Sequence, residues 1–323
     1  MSIVAVYSPS LRDTSIYASI GARASLSNAV TYNGQYTMKL EYFGPYVAVN
    51  VPASDTVYFR VSFYITQILT SGLIIHFVAN TYNTNVKIYL NQGGILTPAL
   101  VNLGTNYGYA AHAPIQVNTW YTLEGKIIID SSAGEITLKL NGQEVFSQSG
   151  IDTVSGYDSL TSIKIENDGD ETTCNLYLSD IIIADNWVGL GTVYSLVPTG
   201  NGAATAWVGD YTAVDEIPPS DADYISTDAL TADTRESFTF DDLPANIDTI
   251  NGVVIIGKSK STAAGGAEMK SYLRVNTTNY DSSINYLDVN YIWHQNIWVI
   301  DPSDSNAWTR AKVNALEIGT VSA

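Results

Sequence analysis

The stretch Thr56-Val57-Tyr58-Phe59-Arg60-Val61-Ser62-Phe63-Tyr64-Ile65-Thr66 alternates without a break. Successive side chains of an extended chain point to opposite faces, so Val57, Phe59, Val61, Phe63 and Ile65 share one face. This predicts a β-strand with one buried side, and it leaves Arg60, Ser62 and Tyr64 facing outward.

The same two-residue period recurs on both sides of this strand, while helical periodicity is nearly absent. Trp120 to Asp130 reads as a second strand, and the small polar residues Ser131-Ser132-Ala133-Gly134 suit a turn after it. Glu135-Ile136-Thr137-Leu138-Lys139-Leu140 alternates again and runs into Asn141-Gly142, a hairpin signal because both residues accept positive φ. Val145 and Phe146 begin the return strand. Ser162 to Glu166 and Cys174 to Ala184 supply further strands around the acidic turn Asn167-Asp168-Gly169-Asp170-Glu171. The fold class expected is all-β, two β-sandwiches of jelly-roll type in tandem with very little helix.

A change of composition follows Asp185. Residues 186 to 205 are rich in Gly, Ser, Thr and Pro and read as a linker, which puts a first domain at 1–191 and a second at 192–323. In the second, Arg235 to Phe240, Ile250 to Lys260, Glu268 to Val275 and Asn290 to Val299 are the strand candidates. Trp308 to Leu316 is the best helical segment of the chain, with Thr309 as its N-cap and Gly319 as its stop.

Of 323 residues, 46% are hydrophobic and 15% charged, enough apolar material for a sizeable core. The net charge is −17, from 15 Lys and Arg against 32 Asp and Glu. That balance disfavours phosphate-backbone binding, which needs cations to displace counterions, and it disfavours anionic lipid surfaces. Residues 205–248 hold 11 of the acids and one base, Arg235, so the acidity is concentrated in one strip of the second half. One cysteine, Cys174, cannot form an intrachain disulfide, and His76, His112 and His294 have no zinc-type spacing with it. There is no basic residue before Arg12 and no apolar run of membrane-spanning length, so neither a signal peptide nor a membrane helix is expected.

Five words stand in an order that resembles a concanavalin A-like, laminin-G-type jelly roll. They are Gly34 to Leu40, Phe59 to Ile65, Trp120 to Glu124, Leu140 to Val145 and Leu176 to Asp185. The second half is similar to a C-terminal domain of bacteriophage structural proteins. This likeness rests on Gly200-Asn201-Gly202, Trp207, Val214 to Ser226, Arg235 to Phe238, Leu273 to Asn276, and Ala307 to Thr309 with Val313 to Gly319. Together the resemblances imply a virion protein on the tail or capsid surface, present in many copies or as a homo-oligomer and in contact with other virion proteins.

Jelly rolls of this type include polysaccharide hydrolases, which set two carboxyls about 5 Å apart on one sheet face when they retain configuration. Their Glu-x-Asp-x-x-Glu spacing is missing: Glu124, Glu135 and Glu144 are isolated, and Glu166-x-Asp168 runs into a turn. His76 lies inside an apolar strand, His112 in an Ala-rich loop and His294 beside Trp293, each without a nucleophile motif. No catalytic residue is therefore assigned. For a metal, Asp168, Asp170 and Glu171 form one oxygen-rich turn, and Asp215, Glu216, Asp221 and Asp223 form another that Pro218-Pro219 stiffens. No cofactor is required; Ca²⁺ is the ion such loops would take, and the 215–223 loop is the better candidate. Tyr42, Tyr46, Tyr82, Tyr107, Tyr109, Tyr280, Tyr286 and Tyr291 stand in loops or beside Gly and Asn, where rings meet sugars or protein partners. Tyr107-Gly108-Tyr109 is the most suggestive pair.

The expectation is thus a non-enzymatic structural component of a phage virion, which docks through β edges and aromatic loops. The alternative is an adhesin that binds host glycan through the first lobe, with a glycan hydrolase more remote. Nucleic acid and membrane are not expected as partners.

Overall fold

The computed structural model describes every residue except 1–2, 10–13, 43, 69–72, 81–82, 101–104, 155–158, 168–172, 229–231 and 263–266. The chain is all-β, with several antiparallel sheets, and forms two compact units, Met1–Val193 and Tyr194–Ala323.

Among the described residues the first unit has fifteen strands. They are β1 Ile3–Tyr7, β2 Ser19–Ile20, β3 Ala24–Tyr32, β4 Gln35–Leu40, β5 Tyr46–Ser54, β6 Thr56–Ile65, β7 Leu73–Asn80 and β8 Asn83–Leu90. There follow β9 Leu96–Leu100, β10 Thr105–Asn106, β11 Trp120–Ile128, β12 Gly134–Leu140, β13 Gln143–Ile151, β14 Leu160–Asn167 and β15 Leu176–Ala184. Sheet I has the order β13-β12-β11-β6-β15-β4-β3, with β1 also on β15; sheet II has the order β10-β9-β8-β7-β14-β5-β2.

Strand β6 holds the centre of sheet I. Val57, Phe59, Val61, Phe63 and Ile65 are all buried, as the alternation requires. Val47, Val49, Ile75, Phe77, Ile88, Ile163 and Ile165 are buried from sheet II. The rings of Phe59 and Phe77 meet across the two sheets at 5.1 Å between centroids. Burying a side chain of this size is worth about 1.5–3 kcal/mol, and the interdigitated apolar faces hold the sandwich together. At the β12–β13 hairpin Leu140 pairs with Gln143, and Asn141 and Gly142 take φ of 50° and 80°, the mirror-image turn that matches strand twist.

The outward side of β6 departs from expectation. Arg60 and Ser62 do point away from the core, yet they are 1% and 0% exposed. Residues 186–193, expected to belong to a linker, lie across sheet I as a strap. Arg60 Nη2 donates to the Gly191 carbonyl, Glu124 Oε1 accepts from the Gly189 N–H at 2.7 Å, and Asp180 Oδ2 accepts from the Val193 N–H at 3.1 Å. Gln35 Nε2 donates to the Val193 carbonyl at 2.9 Å. Trp187 completes the strap, edge-on to Tyr58 at 5.4 Å and beneath the Lys139 ammonium at 3.8 Å. Asp180, at φ 47°, sits in the bulge between Ser179 and Ile182, where the extra residue re-aims the side chain. Burial pushes its carboxyl above the ordinary range, against Arg60, the Val193 N–H and the Ser179 hydroxyl, which lower it. A composition rich in small and polar residues looked like a linker because the strap's partners are charges distant in sequence.

The second unit comprises β16 Pro198–Thr205, β17 Arg235–Phe240, β18 Val253–Ser259, β19 Glu268–Val275, β20 Thr278–Asp281, β21 Asn285–Tyr286 and β22 Ile292–Trp298, then α1 Arg310–Asn314 and β23 Glu317–Ser322. Sheet III has the order β16-β17-β23-β19-β20 with β21 on β19, and β18 and β22 form a separate ribbon. Thus the second half of the expected linker is strand β16. Leu273, Val275, Trp308 and Leu316 form a core against which Val253, Ile255, Trp298 and Ile318 pack. Thr309 caps α1 by accepting from the Lys312 N–H at 3.3 Å. Gly319 does not stop the helix; it lies within β23, where a Cβ would fall 2.0 Å from the Glu236 carbonyl oxygen and 2.7 Å from the Tyr272 ring. The close approach of the neighbouring strand's backbone, with the ring behind it, is what demands glycine there.

Candidate functional site

On sheet II the buried inward positions of β5, β7, β8 and β14 are filled by Val, Ile, Phe and Leu except Asn167 at the end of β14, so the intervening residues form an outer face. Register brings three bases of distant sequence origin side by side. Lys164 of β14 lies opposite His76 of β7, and His76 lies opposite Lys87 of β8. Ala48 and Ala99 continue the row on either side, small residues that leave the bases standing above the sheet.

Adjacent rows supply the partners. Glu166, two residues from Lys164 and on the same face, accepts from Lys164 Nζ at 2.8 Å, and its Oε2 lies 3.1 Å from His76 Nε2. Burial pushes the Glu166 carboxyl up, but the His76 and Lys164 contacts outweigh burial and hold it below its ordinary range. Tyr46, opposite Glu166, lies under the Lys164 ammonium at 4.5 Å. The Lys87 ammonium stands 5.4 Å from the centre of the Tyr89 ring, whose hydroxyl donates to Asn106 Oδ1 at 3.3 Å. Asn50 and Ser162 face each other in the row beyond. The result is an outward patch of cations, tyrosines and one carboxylate on a rigid sheet.

The residues singled out from the sequence fare differently. Tyr107 is tied down: its hydroxyl donates to the Asp152 carbonyl, and burial pushes the ionisation of its phenol to higher pH. Tyr109 is 71% exposed, so the two rings do not act as a matched pair. Tyr42 lies under Arg23 at 4.9 Å and Tyr291 under Lys260 at 4.4 Å. Tyr286 is exposed, and Tyr82 lies outside the described residues. His112 is structural: its Nε2 accepts from the Leu96 N–H at 3.2 Å, so Nδ1 carries the proton toward the Ala113 carbonyl at 2.6 Å. His294 is partly buried, which disfavours its charged form.

For the acidic loop, Asp221 is held by Lys258 at 2.7 Å. Among the described residues no three His, Cys, Asp or Glu side chains gather closely enough to hold a metal ion, so Asp215, Glu216, Asp221 and Asp223 do not converge on one point. Asp168, Asp170 and Glu171 lie outside the described residues. A polar groove in the second unit is lined by Asp281, Ser283, Gln295 and Trp298, but Arg235 already holds Asp281 through both terminal nitrogens at 2.7 and 3.1 Å. No helix among the described residues is long and apolar enough to cross a membrane.

No protein-family model and no curated protein matches the chain. Solved structures do. One is the endo-β-1,4-glucuronan lyase of the fungus Trichoderma reesei, at 11% identity and a TM-score of 0.46, over 57% of this chain and 96% of that one. A carbohydrate esterase of the Shiga toxin-encoding bacteriophage phi24B is similar at 14% identity and 0.41, over 56% and 97%. Lectin I-B4 of Griffonia simplicifolia follows at 10% and 0.36, over 57% and 100%.

Sequence reasoning missed Lys87, Lys164 and Tyr89 and treated His76 as an isolated residue. A signal was present, because Val86-Lys87-Ile88-Tyr89-Leu90 and Ile163-Lys164-Ile165-Glu166 alternate and put their polar members on one face. What alternation cannot tell is which strands are neighbours.

Proposed function

We propose that this protein is a non-enzymatic surface component of a bacteriophage particle, and that its first unit binds glycan on the outer face of sheet II. The observation that carries the glycan reading is the row Lys164, His76 and Lys87 with Tyr46 and Tyr89 beside it. Polar donors next to aromatic rings on a rigid face are what a sugar needs for orientation and contact. Glu166 is the one carboxylate at the described outward positions of β5, β7, β8 and β14, whereas glycoside hydrolysis works with a pair, and this supports binding rather than glycoside hydrolysis.

The virion assignment and the docking to other particle proteins rest on the likeness of Val214 to Ser226, Arg235 to Phe238 and Val313 to Gly319 to phage structural proteins. On a particle, many copies make weak sugar contacts effective through avidity. A glycan array with the purified chain tests the binding. Retention of a defined set of glycans, abolished in the double variant Lys87→Ala/Lys164→Ala with an unchanged melt, is the expected result. An array with no retained glycan would leave a purely structural role. Immunogold labelling of particles would then separate many copies over a shell from a few at one vertex.

A further inference from the structure

We infer that the ligand of the sheet II face is an anionic glycan, one whose sugars carry carboxylate or sulfate groups. The inference deepens the glycan-binding reading and depends on it.

A platform for neutral sugar presents bare aromatic faces, because the apolar side of a pyranose stacks on the ring. Here the rings are not bare. The Lys164 ammonium stands 4.5 Å from the centre of Tyr46, and that of Lys87 stands 5.4 Å from the centre of Tyr89. Cation and ring attract each other, so both faces offer an incoming ligand positive charge before they offer π surface.

The charge is also not used up within the chain. Lys164 and His76 share the single carboxylate Glu166, at 2.8 and 3.1 Å. Lysine carries three N–H donors, so one contact leaves Lys164 able to take another acceptor. Lys87 has no carboxylate partner among the described residues; its contact is the Tyr89 ring. Several other lysines are paired with carboxylates, Lys39 with Glu41, Lys126 with Glu135, Lys258 with Asp221, and Lys312 with Asp301 and Asp304, whereas Lys139 and Lys260, like Lys87, lie over aromatic rings. Lys87 and Lys164 thus stand in one row on a sheet face, on either side of His76, with N–H donors left for an external anion. Neighbouring strands are about 4.8 Å apart, so Lys87 and Lys164 flank His76 over roughly 10 Å, a span that suits successive charged sugars of one chain.

The test measures binding of the purified full chain to four probes: polygalacturonate for carboxylate, heparin for sulfate, dextran as neutral polymer and single-stranded DNA for phosphate. Binding to polygalacturonate or heparin and not to dextran is expected, and the preference between the two names the anion. It should weaken strongly between about 0.15 M and about 1 M salt, as the screening length falls from about 8 Å to about 3 Å. Lys87→Ala and Lys164→Gln should each reduce affinity about fivefold, Lys87→Arg should retain most of it, and Lys260→Ala should change nothing. Equal binding of dextran and the charged polymers, or indifference to salt, would overturn this inference and leave glycan binding standing. DNA bound as well as the charged glycans would overturn it in favour of a general polyanion site. Failure to retain any glycan, on the array or here, would take down the glycan reading itself.

Discussion

The two outer faces of the first sandwich carry similar residues and put them to opposite use. On sheet I, Arg60, Glu124 and Asp180 are at most 2% exposed, because the strap 186–193 lies over them and uses their hydrogen bonds. On sheet II, Lys164, Glu166 and His76 keep 31%, 17% and 19% of their side-chain surface. A charged residue on an outward strand position therefore says nothing about function until it is known what, if anything, covers it. Covered by its own chain it becomes a structural bond; left open, as Lys126 and Glu135 also are on sheet I, it is at least within reach of a ligand.

The largest expected effect separates the faces by stability. Arg60→Ala should destabilise the protein by about 3–5 kcal/mol, since Asp180 and the Gly191 carbonyl would lose a buried partner. Lys87→Ala on the open face should cost under about 0.5 kcal/mol. Urea denaturation of both variants measures this, and equal costs would erase the distinction.

Next comes the strap itself. Trp187→Ala should cost roughly 2 kcal/mol through lost contact with Tyr58 and Lys139. It should also open the chain to protease near residue 190. In native-state hydrogen exchange the Gly189 and Val193 amides, which bond to Glu124 and Asp180, should be protected in the parent protein and exposed in the variant.

The smaller effects concern protons, and the faces differ in sign. Glu166 is held below its ordinary value of 4.5, so its contacts stabilise the fold above that pH, and the benefit is lost as pH falls toward its folded value. Asp180 is raised above 3.8, so ionising it within the fold is unfavourable, and its contribution declines as pH rises from 3.8 through the folded value. An NMR titration should find Glu166 titrating low and Asp180 high. Glu166→Gln should flatten the acid limb of the stability curve by about 1 kcal/mol or less. A Glu166 that titrates at its ordinary value would mean that the Lys164 and His76 contacts are not held in solution.

Much of the fold was legible locally. The alternation of Val57 to Ile65 and the Asn141-Gly142 turn each specify their element through residues adjacent in sequence, and the structure carries both. The same holds for Thr309 before α1. Gly319 misled because its reason, the Glu236 carbonyl and the Tyr272 ring, is remote in sequence. The 186–205 stretch misled in the same way: small polar residues suit a linker, a strap and an open strand alike, and the deciding partners Arg60, Glu124 and Asp180 come from elsewhere. The site was less legible still. Tyr107 and Tyr109 attracted notice as a pair of neighbours, whereas His76, Lys87 and Lys164 come from three separate strands.

What the sequence determined by itself is the period-two pattern, and with it an all-β chain, the buried side of each strand and an acidity gathered between residues 205 and 248. These follow from chain geometry and side-chain chemistry one residue after another. Only the tertiary structure decided that β14, β7 and β8 lie side by side and that residues 186–193 cover Arg60, Glu124 and Asp180 while Lys164, Glu166 and His76 keep part of their surface. Strand order and coverage are set by which apolar faces can be buried together, a property of the whole chain at once, and no local stretch encodes it.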